Sequence, residues 1–264
     1  MQRSHLIIGA VVVIVLVVGG LVARQMIARP SETTGLDELL ESGSAHLEAG
    51  EYAEAIADLE AAVEMDPGSS EAHFLLAQVY NRTGDLLKAA DEFRTVLALD
   101  PDNAAAHHNL GVTYFQLQDP VAAVAEFKAA LKLDPDDADT HYQLGATYLV
   151  QALDPAAQVN PQLLEQAVAE FEAALESRAD MPEALIGMGN VFIQQADYAA
   201  AIEALQRAIE QTPAPEAYYA LGEAHARSGD TAGACEAYSR FLELDPPATW
   251  RAQGEQSMTA LGCP

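Results

Sequence analysis

Three histidines, His73, His107 and His141, recur at equal intervals along the chain. Imidazole is a metal ligand and a general base near neutral pH, so a regular row of it is the first place to look for chemistry. Residues one such period apart on stacked helices lie about 10 Å from one another. A metal needs its ligand nitrogens about 2 Å away. The row therefore reads as helix packing and no metal is assigned. The chain carries no G-x-x-x-x-G-K-[ST] phosphate loop, no H-E-x-x-H and no G-x-S-x-G. Gly187-Met188-Gly189 stands alone and reads as close packing between helices rather than a nucleotide loop. No catalytic residue, cofactor or small-molecule substrate is assigned, and the chain does not read as an enzyme.

Charge narrows the partners. Thirteen bases face 40 acids over 264 residues. Three of the bases, Arg3, Arg24 and Arg29, precede Pro30, and the first acid is Glu32. From residue 31 onward ten bases face 40 acids, a net charge of −30. Such a surface repels phosphate backbones, so no nucleic-acid partner is expected. The acids solvate exposed helix faces or meet a basic partner.

The elements that position these residues repeat. Asp66-Pro67, Asp100-Pro101 and Asp134-Pro135 follow the same interval as the histidines, and Asp245-Pro246 closes the series. With the proline at position 32, the register starts at Leu36. Position 8 is then Gly43, Ala77, Gly111, Gly145, Gly189 and Gly222. Position 20 is alanine six times: Ala55, Ala89, Ala123, Ala167, Ala201 and Ala234. Position 24 is Leu59, Phe93, Phe127, Phe171, Leu205 and Tyr238. Small residues at 8 and 20 let two helices approach, and large ones at 24 fill the space between them. Proline stops the second helix, and Asp102, Asn103, Asp136 or Asp137 beside it can cap the next one. A unit of two helices cannot bury its apolar face alone, so the units must stack.

This pattern resembles the tetratricopeptide repeat (TPR) over residues 36–248. The resemblance implies an all-α, right-handed superhelical solenoid of six helix-turn-helix units: 36–69, 70–103, 104–137, 138–181, 182–214 and 215–248. The fourth is longer than the rest, with an insertion at 151–162 read as a loop between its two helices. In the family, the first helices line a concave groove that takes peptide segments. Carried onto this chain, the groove residues are Phe74, Gln78, His108, Asn109, Phe115, Tyr142, Gln143, Leu149, Asn190, Ile193 and Tyr219. Apolar side chains would fill pockets and amides would bond a peptide backbone. The family's carboxylate clamp for chaperone tails is absent, since position 5 carries no lysine. Position 2 is acidic at Asp37, Glu71, Asp139, Glu183 and Glu216. Apolar or basic segments are the expected ligands.

After the last repeat, residues 249–264 read as a short amphipathic capping helix and tail. If that helix folds back antiparallel to the second helix of unit six, Cys263 comes near Cys235. A disulfide between them would suit an oxidising compartment; two unrelated reduced cysteines are the alternative.

At the other end, residues 6–23 form an unbroken run without a charge. As a helix they span roughly 27 Å, enough to cross a bilayer core. The run is longer than a signal peptide's apolar region and reads as an uncleaved transmembrane helix between a basic leader (1–5) and a linker (24–35). The repeats would then stand outside the cytoplasm, close to the membrane. The function expected is a membrane-anchored scaffold binding partner proteins, an envelope assembly or adaptor factor. The alternative is a tethered co-chaperone or import-type receptor facing the cytoplasm.

Overall fold

The computed structural model describes residues 30–154 and 158–264. Among these residues there are thirteen helices and no strand. The chain divides into two compact units at Leu99/Asp100. The leader 1–5, the apolar segment 6–23 and residues 24–29 of the linker lie outside the described residues. Among the described residues no helix is long and apolar enough to cross a membrane.

The first unit contains α1 (Pro30–Ala49), α2 (Tyr52–Met65), α3 (Ser70–Thr83) and α4 (Leu86–Leu99). Helix α1 starts inside the stretch read as linker. Proline suits that first position, because its missing N–H has no helical partner there. The second unit contains α5 (Ala104–Gln116), α6 (Pro120–Leu133), α7 (Ala138–Ala152), α8 (Pro161–Ser177), α9 (Pro182–Gln194), α10 (Tyr198–Gln211), α11 (Pro215–Ser228), α12 (Thr231–Glu243) and α13 (Ala248–Leu261). Successive helices pair as hairpins, and α13 packs against α12.

The repeated small residues set how closely paired helices pack. All six alanines at position 20 are fully buried. A Cβ on Gly111 would stand 2.7 Å from the Phe127 ring, and one on Gly189 would stand 2.6 Å from Leu205. Gly187 faces the Phe171 ring at 2.5 Å by the same measure, so the Gly187-Met188-Gly189 triplet is buried packing. Phe93, Phe127 and Phe171 fill the space this leaves and are at most 1% exposed.

The turn within five of the six hairpins is left-handed at position 15, where Gly50, Gly84 and Gly229 have φ of 76°, 85° and 87°. Gln118 and Ala196 hold the same conformation at φ 60° and 61°. The fourth unit differs. Ala152, at the matching position, remains helical and 1% exposed. The inserted residues thus replace the tight turn. They lengthen α7 and α8 to 15 and 17 residues, so the connection is shorter than the 151–162 loop expected. Its residues 155–157 lie outside the described set.

Helix starts are capped locally. Ser69 accepts from the Ala72 N–H, and Asn103 from that of Ala106. Asp137 stands at the N-cap of α7, but its side chain makes no bond to the helix backbone. It accepts from the Thr140 hydroxyl instead.

Candidate functional site

The position-4 histidines are held on two sides. In the first unit, His73 Nδ1 meets Glu92 Oε2 at 2.6 Å and Nε2 meets the Pro67 carbonyl at 3.1 Å. In the second, His107 meets Glu126 at 2.7 Å and the Pro101 carbonyl at 3.3 Å. His141 meets Glu170 at 2.7 Å and the Pro135 carbonyl at 2.9 Å. Each ring thus ties the start of a first helix to its second helix and to the preceding proline turn. Both ring nitrogens of each histidine are engaged in these contacts. The glutamates went unread in the sequence, although the signal is present. The spacing from His73 to Glu92 equals that from His107 to Glu126, and only the expanded unit stretches it, from His141 to Glu170. In units five and six, where Leu185 and Tyr218 replace the histidine, alanine replaces the glutamate at Ala204 and Ala237.

The faces of the first helices are more open. In the first unit α1 and α3 line a recess of about 490 Å³. Asp37, Glu41, Glu48 and Glu71 surround it, with Leu40 and Ala45 beneath. Phe74 and Gln78 lie on α3, both half-buried. The Phe74 ring packs edge-on against Phe93 at 5.6 Å.

In the second unit, His108 lies in a recess of about 420 Å³ lined by Ala104, Ala105, Asn109, Ala130, Asp134, Asp137 and Asp139. Its Nδ1 is 2.6 Å from Thr140 Oγ1. The Thr140 hydroxyl donates to the Asp137 carboxylate, so its oxygen accepts from the ring N–H. Burial lowers the His108 pKa below its ordinary value, against the pull of Asp137 and Asp139. Asn109 turns its amide back to the Ala105 carbonyl at 2.8 Å. Tyr142 leans on Phe171 at 6.0 Å. Burial, then the charge of Glu183, raises its pKa. Tyr142 and Gln143 belong to a further recess of about 400 Å³ with Asp139, Arg178, Asp180, Met181 and Glu183.

Phe115 and Leu149 are half-buried and pack on the core beneath them. Asn190 is half-buried on α9. One of the residues assigned to the groove is placed otherwise. Ile193 is 1% exposed. It packs in a core cluster with Ala201, Leu205, Ala220 and Ala224, so it presents no surface to a ligand. Tyr219 is stacked by Trp250 of α13 at 6.2 Å, with Phe241 at 5.3 Å. Its ring joins the end of the stack to the C-terminal helix. Cys235 and Cys263 are bonded, Cα to Cα 5.5 Å, tying the end of α13 to the start of α12. Sequence reasoning also missed Arg178. Its place in the recess beside Tyr142 depends on where a helix end directs a long side chain, and spacing does not report that.

No curated protein matches the chain. Among solved structures, PilF of Pseudomonas aeruginosa is similar with TM-score 0.70 at 21% identity, over 87% of this chain and 98% of that one. PilW, a widely conserved type IV pilus biogenesis factor, gives 0.68 at 18% identity, over 79% and 92%. YrrB, a TPR protein with an unusual peptide-binding site, gives 0.58 at 20% identity, over 76% and 100%. At these identities the likeness is one of fold. The tetratricopeptide-repeat family matches residues 40–103, 82–138, 162–214 and 186–249, more than half of the sequence. The chain belongs to the tetratricopeptide-repeat family.

Proposed function

We propose that this protein is a membrane-anchored scaffold, binding rather than catalytic, that holds extended segments of partner proteins against the faces of its first helices. The observation that carries the reading is the set of open, acid-rimmed recesses on those faces, about 490 Å³ in the first unit and about 420 and 400 Å³ in the second. Each has apolar or aromatic groups beneath carboxylates. That chemistry suits apolar side chains flanked by basic ones, and it repels a terminal carboxylate.

The uncharged segment 6–23 supplies the anchor in this reading. The Cys235–Cys263 bond favours an extracytoplasmic position, because such bonds persist in oxidising compartments. Assembly work in a cell envelope fits this combination, and the pilus-biogenesis role of PilW is one example on the same fold.

A photo-crosslinking amino acid placed at Gln143, in intact membranes, is expected to capture a partner polypeptide. The same group at Glu203, exposed on the second helix α10, is expected to capture none. Equal capture at both positions contradicts the reading. Protease added to spheroplasts, whose inner membrane is sealed and outer layers are removed, is expected to cut the repeats, and full protection contradicts the topology.

A further inference from the structure

The recess between α7 and α9 already contains a guanidinium. We infer that it is a seat for an arginine side chain supplied by the partner segment, and that Arg178 is an internal competitor for it. This rests on the peptide-binding reading above.

The geometry is that of an arginine site. Arg178 pairs with both oxygens of Asp139, Nη1 to Oδ2 at 3.3 Å and Nη2 to Oδ1 at 2.5 Å. Its Nη2 also lies 3.5 Å from Met181 Sδ. Asp180 and Glu183 complete the rim and add their charge to the Asp139 hydrogen bond in favouring a cation there. Tyr142 offers an aromatic surface in the same recess. A planar fork over carboxylates and a ring suits arginine better than lysine.

The internal pair is exchangeable. The Arg178 side chain is 42% exposed and that of Asp139 is 58% exposed. Pairs this open contribute little to stability, so a second guanidinium can take the place of the first at small cost. The charges also fall short of balance, since one base stands among three carboxylates. The adjoining recess shares Asp139, adds Asp134 and Asp137, and has no lysine or arginine in its lining. A partner segment lying along this face therefore meets uncompensated negative charge in the recess beside the Arg178 seat as well. Charge complementarity selects a basic, arginine-bearing segment.

The test uses the full chain in detergent. The probes are a fluorescein-labelled short peptide with one arginine among leucine, serine and glycine, and its twin with uncharged citrulline in that place. Fluorescence anisotropy is expected to show the arginine peptide binding about three- to fivefold more tightly, the range of a partly exposed ion pair. Asp139→Asn is expected to shrink that ratio. Arg178→Ala is expected to widen it. Arg240→Ala makes the same change in net charge away from the recess, next to Glu243, and is expected to leave the ratio alone. Equal binding of the twins overturns the arginine seat and leaves peptide binding standing. An equal effect of Arg178→Ala and Arg240→Ala also overturns the seat, because long-range charge would then explain the change. Absence of binding by either peptide removes the peptide-binding reading together with the seat. Helical circular dichroism of each variant distinguishes lost binding from lost fold.

Discussion

Each histidine of the repeating row joins three elements through one ring. His107 is 18% exposed and its partner Glu126 is 24% exposed, so the contact is sheltered but not dry. A hydrogen bond to a charged group in such a place stabilises by about 1–2 kcal/mol. His107→Ala is expected to cost that much in urea denaturation. Its effect is expected to overlap with that of Glu126→Ala by more than about 0.5 kcal/mol in a double-mutant cycle. Strict additivity would show that the pair is not coupled. His108 acts in the opposite direction. In the unfolded chain its ring takes up a proton near its ordinary 6.5, whereas burial keeps it neutral to lower pH in the fold. Between those two values the unfolded chain binds more protons. Stability therefore falls as pH drops through about 6.5 and levels off below the folded value. His108→Phe removes this component, and phenylalanine already stands at the matching position as Phe74. The variant is expected to gain relative to the natural protein between pH 7.5 and 5.5, measured by thermal melts. A constant difference across that range would contradict it. Groove residues were less legible than the core. Position 20 meets the same environment in every repeat, so its alanines announce themselves. Ile193 occupies a position that is half-open on α5 and α7 at Phe115 and Leu149, yet on α9 the neighbouring helices close over it. Register alone does not carry that difference.

At the scale of the element, the hairpin turn and the end helix are the informative parts. Position 15 needs a left-handed backbone, which glycine adopts without the clash a Cβ brings. Ala196 holds it at φ 61°. Ala196→Gly is therefore expected to raise stability by about 0.5–1 kcal/mol in chemical denaturation, and a loss would contradict this account of the turn. The helical period, the proline stops and the capping residues were visible in the sequence, because they are local. The insertion at 151–162 in the fourth unit reads as a loop because its Asp154-Pro155 and Asn160-Pro161 look like punctuation. The helices stop at that punctuation, α7 ending at Ala152 before Asp154-Pro155 and α8 beginning at Pro161, so the connection is shorter than 151–162. Asn160 caps α8 with Pro161 in its first turn, which a proline tolerates. At the C-terminus, α13 buries Gly254 against the Phe241 ring and is fastened by the Cys235–Cys263 bond. Reduction is expected to destabilise this end of the protein by about 2–4 kcal/mol. Hydrogen exchange should report it as faster exchange across α13, with α5–α8 little changed. Unchanged exchange in α13 after reduction would show that packing alone holds the helix.

At the scale of the molecule, charge and fold make one statement about partners. The residues from 31 onward hold 40 acids against ten bases. Several of those acids rim recesses on the first-helix faces of both compact units. Net charge was legible from composition, but its concentration on these faces required the fold, because helix register decides which acids converge. The central claim is that these faces bind basic or apolar protein segments and reject acidic tails. Fluorescence anisotropy of the full chain with two peptides sharing one apolar core, one ending in arginines and lysines and the other in aspartates, tests it most directly. The account predicts tighter binding of the basic-tailed peptide, weakened by salt and by joint replacement of Asp137 and Asp139 with asparagine. Tighter binding of the acidic-tailed peptide would contradict it, as would a preference untouched by those replacements.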